Sequence, residues 1–383
     1  MIHLLLAIIY ISFISLGLPD GLLGAAWPTI YPELGTPVSY AGIISLIICI
    51  GTVTSSLFSE HLTYRMGTGK LTLISIAMTA VSLLGFSFSN SFWMLCIWAI
   101  PYGLGAGSVD ASLNNYVALH YSSRHMSWLH CMWGVGASIG PYIMGFLLSR
   151  GQHWSQGYLY VGILQILLTA MLLLSLPLWK QAKQNGTAKP LSLKQVLHVP
   201  GAPQIMIVFF CYCALEQTAA LWSASYFHLH GEFTPETAAT LGSLFFLGIT
   251  LGRAISGFIA TKLNDTSMIR LGFGIITIGI LLMLLPLGQV GSVLGLLSVG
   301  LGSAPIYPCL MHATPAHFGP DRSQALMGIQ TASAYVGTAL MPPLFGLIAN
   351  HISISLLGIY LLVLLAFMVL SHRKLSIVCK KTA

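Results

Sequence analysis

Three carboxylates lie within long apolar stretches of a chain that has only nine acidic residues among 383. They are Asp20, Asp110 and Glu216. An ionisable side chain inside a bilayer is costly in free energy, and it usually marks a substrate path, an ion path or a proton relay. Carboxylates also accept hydrogen bonds from hydroxyl groups. The three positions therefore predict proton coupling at Asp110, Glu216 and Asp20.

Each acid also has a structural interpretation. Asp110 could be a buried carboxylate satisfied by hydroxyls or by a basic neighbour, and Glu216 could form an interhelical hydrogen bond that holds its helix. Asp20 follows Gly17 and Pro19, so it could cap backbone groups at a bend. Position along the chain alone does not separate these interpretations from proton coupling.

The composition is that of an integral membrane protein. Hydrophobic residues make up 56% of the chain and charged residues 7%, whereas a soluble domain has about 25% charged residues. Twelve apolar stretches of roughly 20 to 27 residues suit helices that cross a hydrocarbon core about 30 Å thick. We therefore expect an all-α fold with twelve transmembrane helices in a lipid bilayer.

The basic residues are distributed asymmetrically between the predicted connections. Of the 16 Lys and Arg residues, only Arg150 falls on the side opposite the rest, and only Arg253 falls within a span. Cytoplasmic loops carry an excess of Lys and Arg, so this pattern predicts a multi-pass protein of the cell membrane with both termini in the cytoplasm. It also accounts for the net charge of +7 without a nucleic-acid partner.

The chain divides into two similar halves. We predict an N-terminal six-helix bundle over residues 1–178, a cytoplasmic linker over 179–201, and a C-terminal six-helix bundle with a short cytoplasmic tail over 202–383. The segment Gly103–Leu113 recurs in the second half as Gly300–Leu310. A second repeat pairs Gly136, Pro141 and Gly145 with Gly337, Pro342 and Gly346. Internal duplication of this kind is typical of secondary transporters, whose substrate site lies near the bilayer midplane where the repeats meet.

Two segments carry a family resemblance. The segment Tyr102–Asn114 and the pattern Leu129-His130-x-x-Trp133-Gly-x-Gly136 resemble the major facilitator superfamily, and within it the branch of fucose permease and related sugar transporters. The resemblance covers the whole chain and implies the twelve-helix fold of that family. It implies proton coupling at Asp110, and it places His130 and Trp133 toward a sugar.

The loop signature of the superfamily is only partly present. Arg65 and Gly67 remain after the second predicted helix, while the aspartate of the signature is absent there. The resemblance implies a gating or structural role for these two residues. Arg253 is expected to form a structural or gating pair with an acid, because an unpaired guanidinium within the membrane is expensive.

Further polar and aromatic residues near the acids are candidates for substrate contact. An acid and an aromatic ring together suit a sugar, since the carboxylate accepts hydroxyl hydrogen bonds and the ring face packs on C–H groups. The predicted substrate-binding residues are His130, Trp133, Asn114, Glu216, Trp222, Tyr307, Gln330 and Trp27. Each has helix packing as its structural alternative.

These observations predict a proton-coupled secondary transporter of a small polar solute, a sugar by resemblance, which works by alternating access. The alternative is a proton-driven antiporter that exports a metabolite or drug, because the glycine and proline arrangement at Gly136 and Pro141 is also typical of exporters. Sodium coupling stays open. We expect no enzymatic activity, since motifs of hydrolases, metalloproteases and phosphate-binding loops are missing, and we expect a monomer without cofactor or metal.

Overall fold

The computed structural model describes residues 2–37, 40–179, 191–231, 233 and 235–382. These residues form α-helices and no β-strand, so the predicted all-α fold is confirmed. The first eight helices are α1 (Ile2–Gly17), α2 (Leu22–Glu33), α3 (Ala41–Leu57), α4 (Ser59–Met66), α5 (Thr68–Ser87), α6 (Phe92–His120), α7 (Ser123–Ser149) and α8 (Trp154–Ser175). The next eight are α9 (Leu193–Leu197), α10 (Ala202–Leu229), α11 (Pro235–Ile259), α12 (Asp265–Leu284), α13 (Gly288–Ser303), α14 (Ile306–Phe318), α15 (Pro320–His351) and α16 (Leu357–Thr382).

The helices account for the twelve predicted spans. Ten segments of the described chain are long and apolar enough to cross a bilayer, and the pair α3 and α4, bent by 58°, is an eleventh when the two helices are counted as one span. The apolar part of α11, Leu244–Ile259, is a shorter helix at the place of the remaining predicted span. Each apolar stretch in the sequence thus corresponds to one helical segment.

The chain forms two compact units. Among the described residues, the first unit contains those of Met1–Tyr116 and Leu129–Leu191, and the second contains those of Val117–Trp128 and Ser192–Ala383. The connection between α6 and α7 therefore groups with the second unit, although most of both helices belongs to the first. The predicted linker 179–201 includes residues 180–190, which lie outside the described part of the chain, and its boundaries remain a prediction.

Two of the apolar spans are broken near a proline. The first span is interrupted between α1 and α2, where Pro19 stands, and the span made of α13 and α14 is interrupted next to Pro305. Proline lacks a backbone N–H and its ring crowds the preceding turn, so it interrupts the helical hydrogen-bond pattern. The first break carries Asp20.

The sequence repeat corresponds to a repeat of close helix contacts. In the first unit, a Cβ added to Gly103 of α6 would collide with the carbonyl of Ile48 in α3. In the second unit, a Cβ added to Gly300 of α13 would collide with the carbonyl of Phe245 in α11. Small residues allow membrane helices to approach closely, so both glycines are explained by packing.

A second pair of contacts repeats in the same way. Gly136 of α7 packs against the carbonyl of Ile14 in α1, and Gly337 of α15 packs against the carbonyl of Phe210 in α10. The two glycines occupy equivalent places in the repeated sequence pattern. The internal duplication thus extends from residue types to contacts within each unit.

Gly67 joins α4 to α5 with a backbone that other residues avoid. Its φ is 76° and its ψ is 157°, and a Cβ there would meet no atom within 4 Å. We expect Gly67→Ala to destabilise the protein by about 1 to 3 kcal/mol, because this region of φ and ψ is almost restricted to glycine. Thermal unfolding in detergent would measure the loss.

Gly145→Ala is the matched control for this substitution. Gly145 lies within α7, and a Cβ there would also meet no atom within 4 Å. Alanine is favoured over glycine in a helix interior, so this variant should be at least as stable as the starting protein. Equal behaviour of the two variants would contradict the strained-backbone explanation.

Candidate functional site

A chain of buried polar side chains connects α6 and α7 in the first unit. Asn114 Nδ2 donates to Asp110 Oδ1 at 2.9 Å, and Asn114 Oδ1 lies 3.0 Å from His130 Nε2. All three residues are buried, with exposures of 0% for Asn114, 6% for His130 and 7% for Asp110. The structure therefore brings together three of the residues predicted from sequence.

The geometry of the Asn114 amide determines the direction of these hydrogen bonds. Because a carboxylate or a backbone carbonyl can only accept, the Nδ2 that reaches Asp110 must be the donor, and it also donates to the Asp110 carbonyl at 3.0 Å. The Oδ1 atom must then accept from His130, so Nε2 of His130 carries a hydrogen. A proton added to Asp110 would weaken its bond from Asn114, and the change would reach His130 through one amide.

The position of His130 is also limited by an aromatic contact. The ring of Phe13 in α1 meets the imidazole edge to face, with centroids 5.5 Å apart. The imidazole is thus held between a hydrocarbon ring and an amide oxygen. This environment leaves His130 in contact with both α1 and α6.

Asp20 lies in the break between α1 and α2 and accepts two side-chain hydrogen bonds. Trp133 Nε1 donates to Oδ2 at 2.9 Å, and the Tyr102 hydroxyl donates to Oδ1 at 3.4 Å. Two helices of the first unit, α6 and α7, therefore contact this carboxylate. Tyr102 belongs to the segment that carries the family resemblance, but its residue type alone gave no signal for this contact.

A small cavity lies close to both acids of the first unit, Asp20 and Asp110. Its lining includes Pro19, which precedes Asp20 in the chain, and Tyr102, which donates a hydrogen bond to Asp20. It also includes Val109, which precedes Asp110. It has room for about one water molecule. The cavity is thus lined by neighbours of both carboxylates.

Glu216 forms an ion pair within the second unit. Arg253 Nη2 of α11 lies 3.4 Å from Glu216 Oε1 of α10, and the two side chains are 5% and 10% exposed. Tyr212, one turn before Glu216, donates its hydroxyl to the carbonyl of Ser303 at 3.0 Å. The ion pair between Arg253 and Glu216 balances both charges in a place from which water is largely excluded.

Trp222 and Gln330 make contacts that hold helices together. Trp222 Nε1 donates to the carbonyl of Pro342 at 3.0 Å, and its ring packs against Phe345. Gln330 is fully buried and exchanges hydrogen bonds with the hydroxyl of Thr314 at 3.1 and 3.2 Å. Both geometries favour packing between helices, and substrate contact by these residues remains a prediction.

The other two aromatic candidates lie among hydrophobic neighbours. Trp27 is 6% exposed and belongs to the apolar cluster of the first unit. Tyr307 is half-buried and contacts the rings of Phe209 and Tyr212 at centroid distances of 5.0 and 5.7 Å. Of the two, Tyr307 has the greater exposure for a solute contact.

Arg65 and Gly67 occupy the turn between α4 and α5. Arg65 is exposed at the end of α4, and Gly67 provides the positive φ that joins the two helices. The backbone geometry accounts for Gly67 without a ligand. A gating role for this turn remains a prediction.

A polar cluster in the second unit was not singled out from the sequence. His312 Nδ1 lies 2.6 Å from Asp265 Oδ2, and His312 Nε2 lies 3.2 Å from the carbonyl of Tyr121. Ser123 donates its hydroxyl to the other oxygen of Asp265. Because both ring nitrogens of His312 face acceptors, the arrangement is best satisfied by the doubly protonated imidazolium. The cluster ties the connection between α6 and α7 to α12 and α14.

We expect Asp265→Asn to lower the free energy of unfolding by about 1.5 to 3 kcal/mol, which is typical of a hydrogen bond to a charged group. The substitution replaces the acceptor of two side-chain bonds and leaves the imidazolium without its counter-charge. Thermal unfolding of the purified protein measures the effect. Asp321→Asn is the control, since Asp321 also lies in the first turn of a helix but is exposed. Equal losses in the two variants would contradict a stabilising role for the cluster.

Comparison with known proteins gives a consistent picture. Residues 9–324 and 233–376 match the family model described as Major Facilitator Superfamily. The cis,cis-muconate transport protein of Acinetobacter baylyi is 24% identical, and the alignment covers 90% of this chain and 88% of that protein. The class H tetracycline resistance protein of Pasteurella multocida is 23% identical over 69% of this chain and 68% of its own length.

A solved structure shares the fold. The E. coli fucose:proton symporter FucP superimposes with a TM-score of 0.76, covering 97% of this chain and 98% of that one, at 14% sequence identity. Identity this low shows likeness of fold alone. The arrangement of helices is therefore common to both chains.

Proposed function

Because this chain belongs to the major facilitator superfamily, we propose that it is a proton-coupled transporter that moves a small polar solute, a sugar in the first instance, by alternating access. The observation that supports this most directly is the buried chain from Asp110 through Asn114 to His130. It joins a proton-accepting group to a side chain that can bind a solute hydroxyl. Proton binding and solute binding thereby affect each other.

In this proposal Asp110 carries the exchanged proton. When Asp110 is ionised, it holds the Asn114 amide, and Asn114 in turn accepts from His130. Protonation removes the charge, loosens that bond and allows the amide and imidazole to turn toward a solute. A ligand that favours one protonation state shifts the balance between the states by its difference in affinity, which is the energetic requirement for coupling.

Asp20 and Trp133 form the second part of the proposed solute site. Trp133 is half-buried, and its N–H holds Asp20 in place. A carboxylate beside an indole ring suits the hydroxyl groups and C–H faces of a sugar. Asp20 is also the second titrating group of this proposal.

The charges near the candidate residues favour a neutral polar solute over an anion. Asp20 and Asp110 are acidic, while the cation Arg253 is matched by Glu216. An anionic solute would therefore meet repulsion at the first two positions. The two alternatives, an anionic solute and a neutral solute, are represented among similar proteins by the muconate transport protein and the fucose:proton symporter.

The second candidate function is export by proton antiport. It is favoured by the similarity to a tetracycline resistance protein and by Gly136 and Pro141 in α7. Both functions use a titrating carboxylate, and they differ in the direction of proton movement relative to the solute. The proposal further includes that the protein is a monomer in the cell membrane. Both termini are proposed to lie in the cytoplasm, because the loops on that side carry nearly all of the Lys and Arg residues outside the spans.

The test is a solute panel on purified protein in proteoliposomes that contain a pH-sensitive dye. The panel contains neutral sugars, dicarboxylic and aromatic acids, and amphiphilic cations, each added outside. Entry of a sugar with acidification inside supports symport, whereas uptake of a cation with alkalinisation inside supports antiport. Uptake that requires Na⁺ and leaves the internal pH unchanged would overturn proton coupling.

A further inference from the structure

The break in the first span removes the normal hydrogen-bond donor of the Ser15 carbonyl. In an α-helix the carbonyl of residue i accepts from the N–H of residue i+4. For Ser15 that donor would belong to residue 19, which is Pro19 and has no N–H. A carbonyl buried in a membrane helix without a donor costs several kcal/mol. The break at Pro19 therefore needs a donor from elsewhere in the fold.

Gln165 of α8 supplies this donor. Its Nε2 donates to the Ser15 carbonyl at 2.6 Å, and its Oε1 accepts from the Ser15 hydroxyl at 2.6 Å. Gln165 is 1% exposed and Ser15 is 4% exposed. Because a carbonyl only accepts, the amide can have one orientation here, and both of its polar atoms are used on Ser15.

The bonds that follow Ser15 lead directly to Asp20. Leu18 N donates to the Ile14 carbonyl at 3.0 Å in the helical pattern, but Asp20 N donates to the Gly17 carbonyl at 3.1 Å, one residue shorter. Gly17 itself packs against the Trp133 carbonyl so closely that a Cβ would collide. The residues that lead into the turn of Asp20 are therefore held by α7 at Gly17 and by Gln165 at Ser15.

We propose that Gln165 is a positioning residue for Asp20: it completes the interrupted turn of the first span and so keeps the Asp20 carboxylate in reach of Trp133 and Tyr102. Only the expected effect of Gln165 on transport rests on the proposed function. The bond from Trp133 Nε1 to Asp20 provides a direct reporter of the geometry, with no need for a known solute.

The test uses ¹⁹F NMR of the full chain labelled with 5-fluorotryptophan. Trp133→Phe assigns the Trp133 resonance, and Asp20→Asn identifies the part of its pH titration that comes from the carboxylate. Gln165→Leu is expected to shift or broaden the Trp133 resonance and to move its titration midpoint. With a solute found in the panel, the same variant should raise KM by about tenfold, the equivalent of one hydrogen bond.

Gln330→Leu is the matched control for the NMR signal. It also removes a fully buried amide that is bonded to a hydroxyl, but in the second unit. It should leave the Trp133 resonance and its titration unchanged. An unchanged Trp133 signal in folded Gln165→Leu would overturn the positioning role, whatever the transport assay gives, whereas the absence of any transported solute would count against the proposed function alone.

A double substitution keeps the inference testable if Gln165→Leu does not fold. Pro19→Ala restores an N–H that can reach the Ser15 carbonyl. Adding Gln165→Leu to Pro19→Ala should therefore produce a folded protein, with little further change in the Trp133 signal. A double variant that also fails to fold would contradict the idea that the N–H of residue 19 can replace Gln165 as the donor to Ser15. So would a double variant in which the effects of Pro19→Ala and Gln165→Leu on the Trp133 signal simply add.

Discussion

Asp110→Asn is expected to abolish proton-driven accumulation of the transported solute while exchange of labelled for unlabelled solute continues. Asparagine nearly matches the shape of the protonated acid and cannot release a proton. A pH difference of one unit supports about tenfold accumulation when one proton moves with one solute. We therefore expect the accumulation ratio to fall from about ten to one.

The measurement compares two assays on the same proteoliposomes. The first follows uptake under an imposed pH gradient, and the second follows counterflow with no gradient. Asp321→Asn serves as the control, since Asp321 is an exposed acid in the first turn of α15. Accumulation that survives in Asp110→Asn would remove Asp110 from proton coupling, and Asp20→Asn would then be the next variant to test.

Loss of both counterflow and accumulation in Asp110→Asn would have a different meaning. The Asn114 amide depends on Asp110 for a bond at 2.9 Å, and His130 depends on Asn114. If the variant is folded but exchanges no solute, the chain of three residues holds the solute site itself. The two assays thus separate coupling from binding.

Arg253→Leu is expected to have the largest effect on stability. Removing one partner of a buried ion pair leaves an uncompensated charge and costs about 3 to 5 kcal/mol. The pair with Glu216 is 5% and 10% exposed, so water can do little to offset the loss. We expect a strongly reduced yield of folded protein and a lower midpoint of thermal unfolding.

The double variant Arg253→Leu with Glu216→Leu tests the reason for that loss. Replacing both members of a buried pair by apolar residues is often neutral or stabilising, so the double variant should recover most of the stability. Arg322→Leu is the surface control, because Arg322 is exposed in α15. A double variant as unstable as Arg253→Leu would contradict the ion-pair explanation.

Transport by the double variant then addresses the second role predicted for Glu216. A folded double variant that accumulates solute restricts Glu216 to structure. A folded variant that fails to accumulate solute, although Asp110 is intact, supports Glu216 as a coupling or solute-binding group. The stability measurement has to come first, because loss of fold and loss of coupling both abolish uptake.

Periodic and local features were predictable from the chain. The apolar stretches predict the helical spans because a membrane span requires a continuous length of apolar residues. The repeat that relates Gly103 to Gly300 was visible in the sequence, and both glycines lie at close helix contacts, which require small residues. The acids stood out because charge is rare in such segments.

Contacts between side chains far apart in the sequence were not predictable in the same way. The need for a partner to Arg253 follows from its charge, but the choice of Glu216 depends on how α10 and α11 pack. No prediction from the sequence singled out His312 or Asp265, although they form one cluster with Ser123. Gln165 carried no signal, because the carbonyl that it bonds belongs to a residue in another helix.

The sequence by itself therefore determined the membrane class, the helical segments, the internal repeat and which residue types are too costly to be incidental. These follow from the free energy of placing each residue in lipid or in water, which is a property of the residue and its near neighbours. Only the tertiary structure decided which polar groups meet. A hydrogen bond depends on distances of about 3 Å and on direction, and such distances between α1, α6, α7 and α8 exist only once the helices have packed.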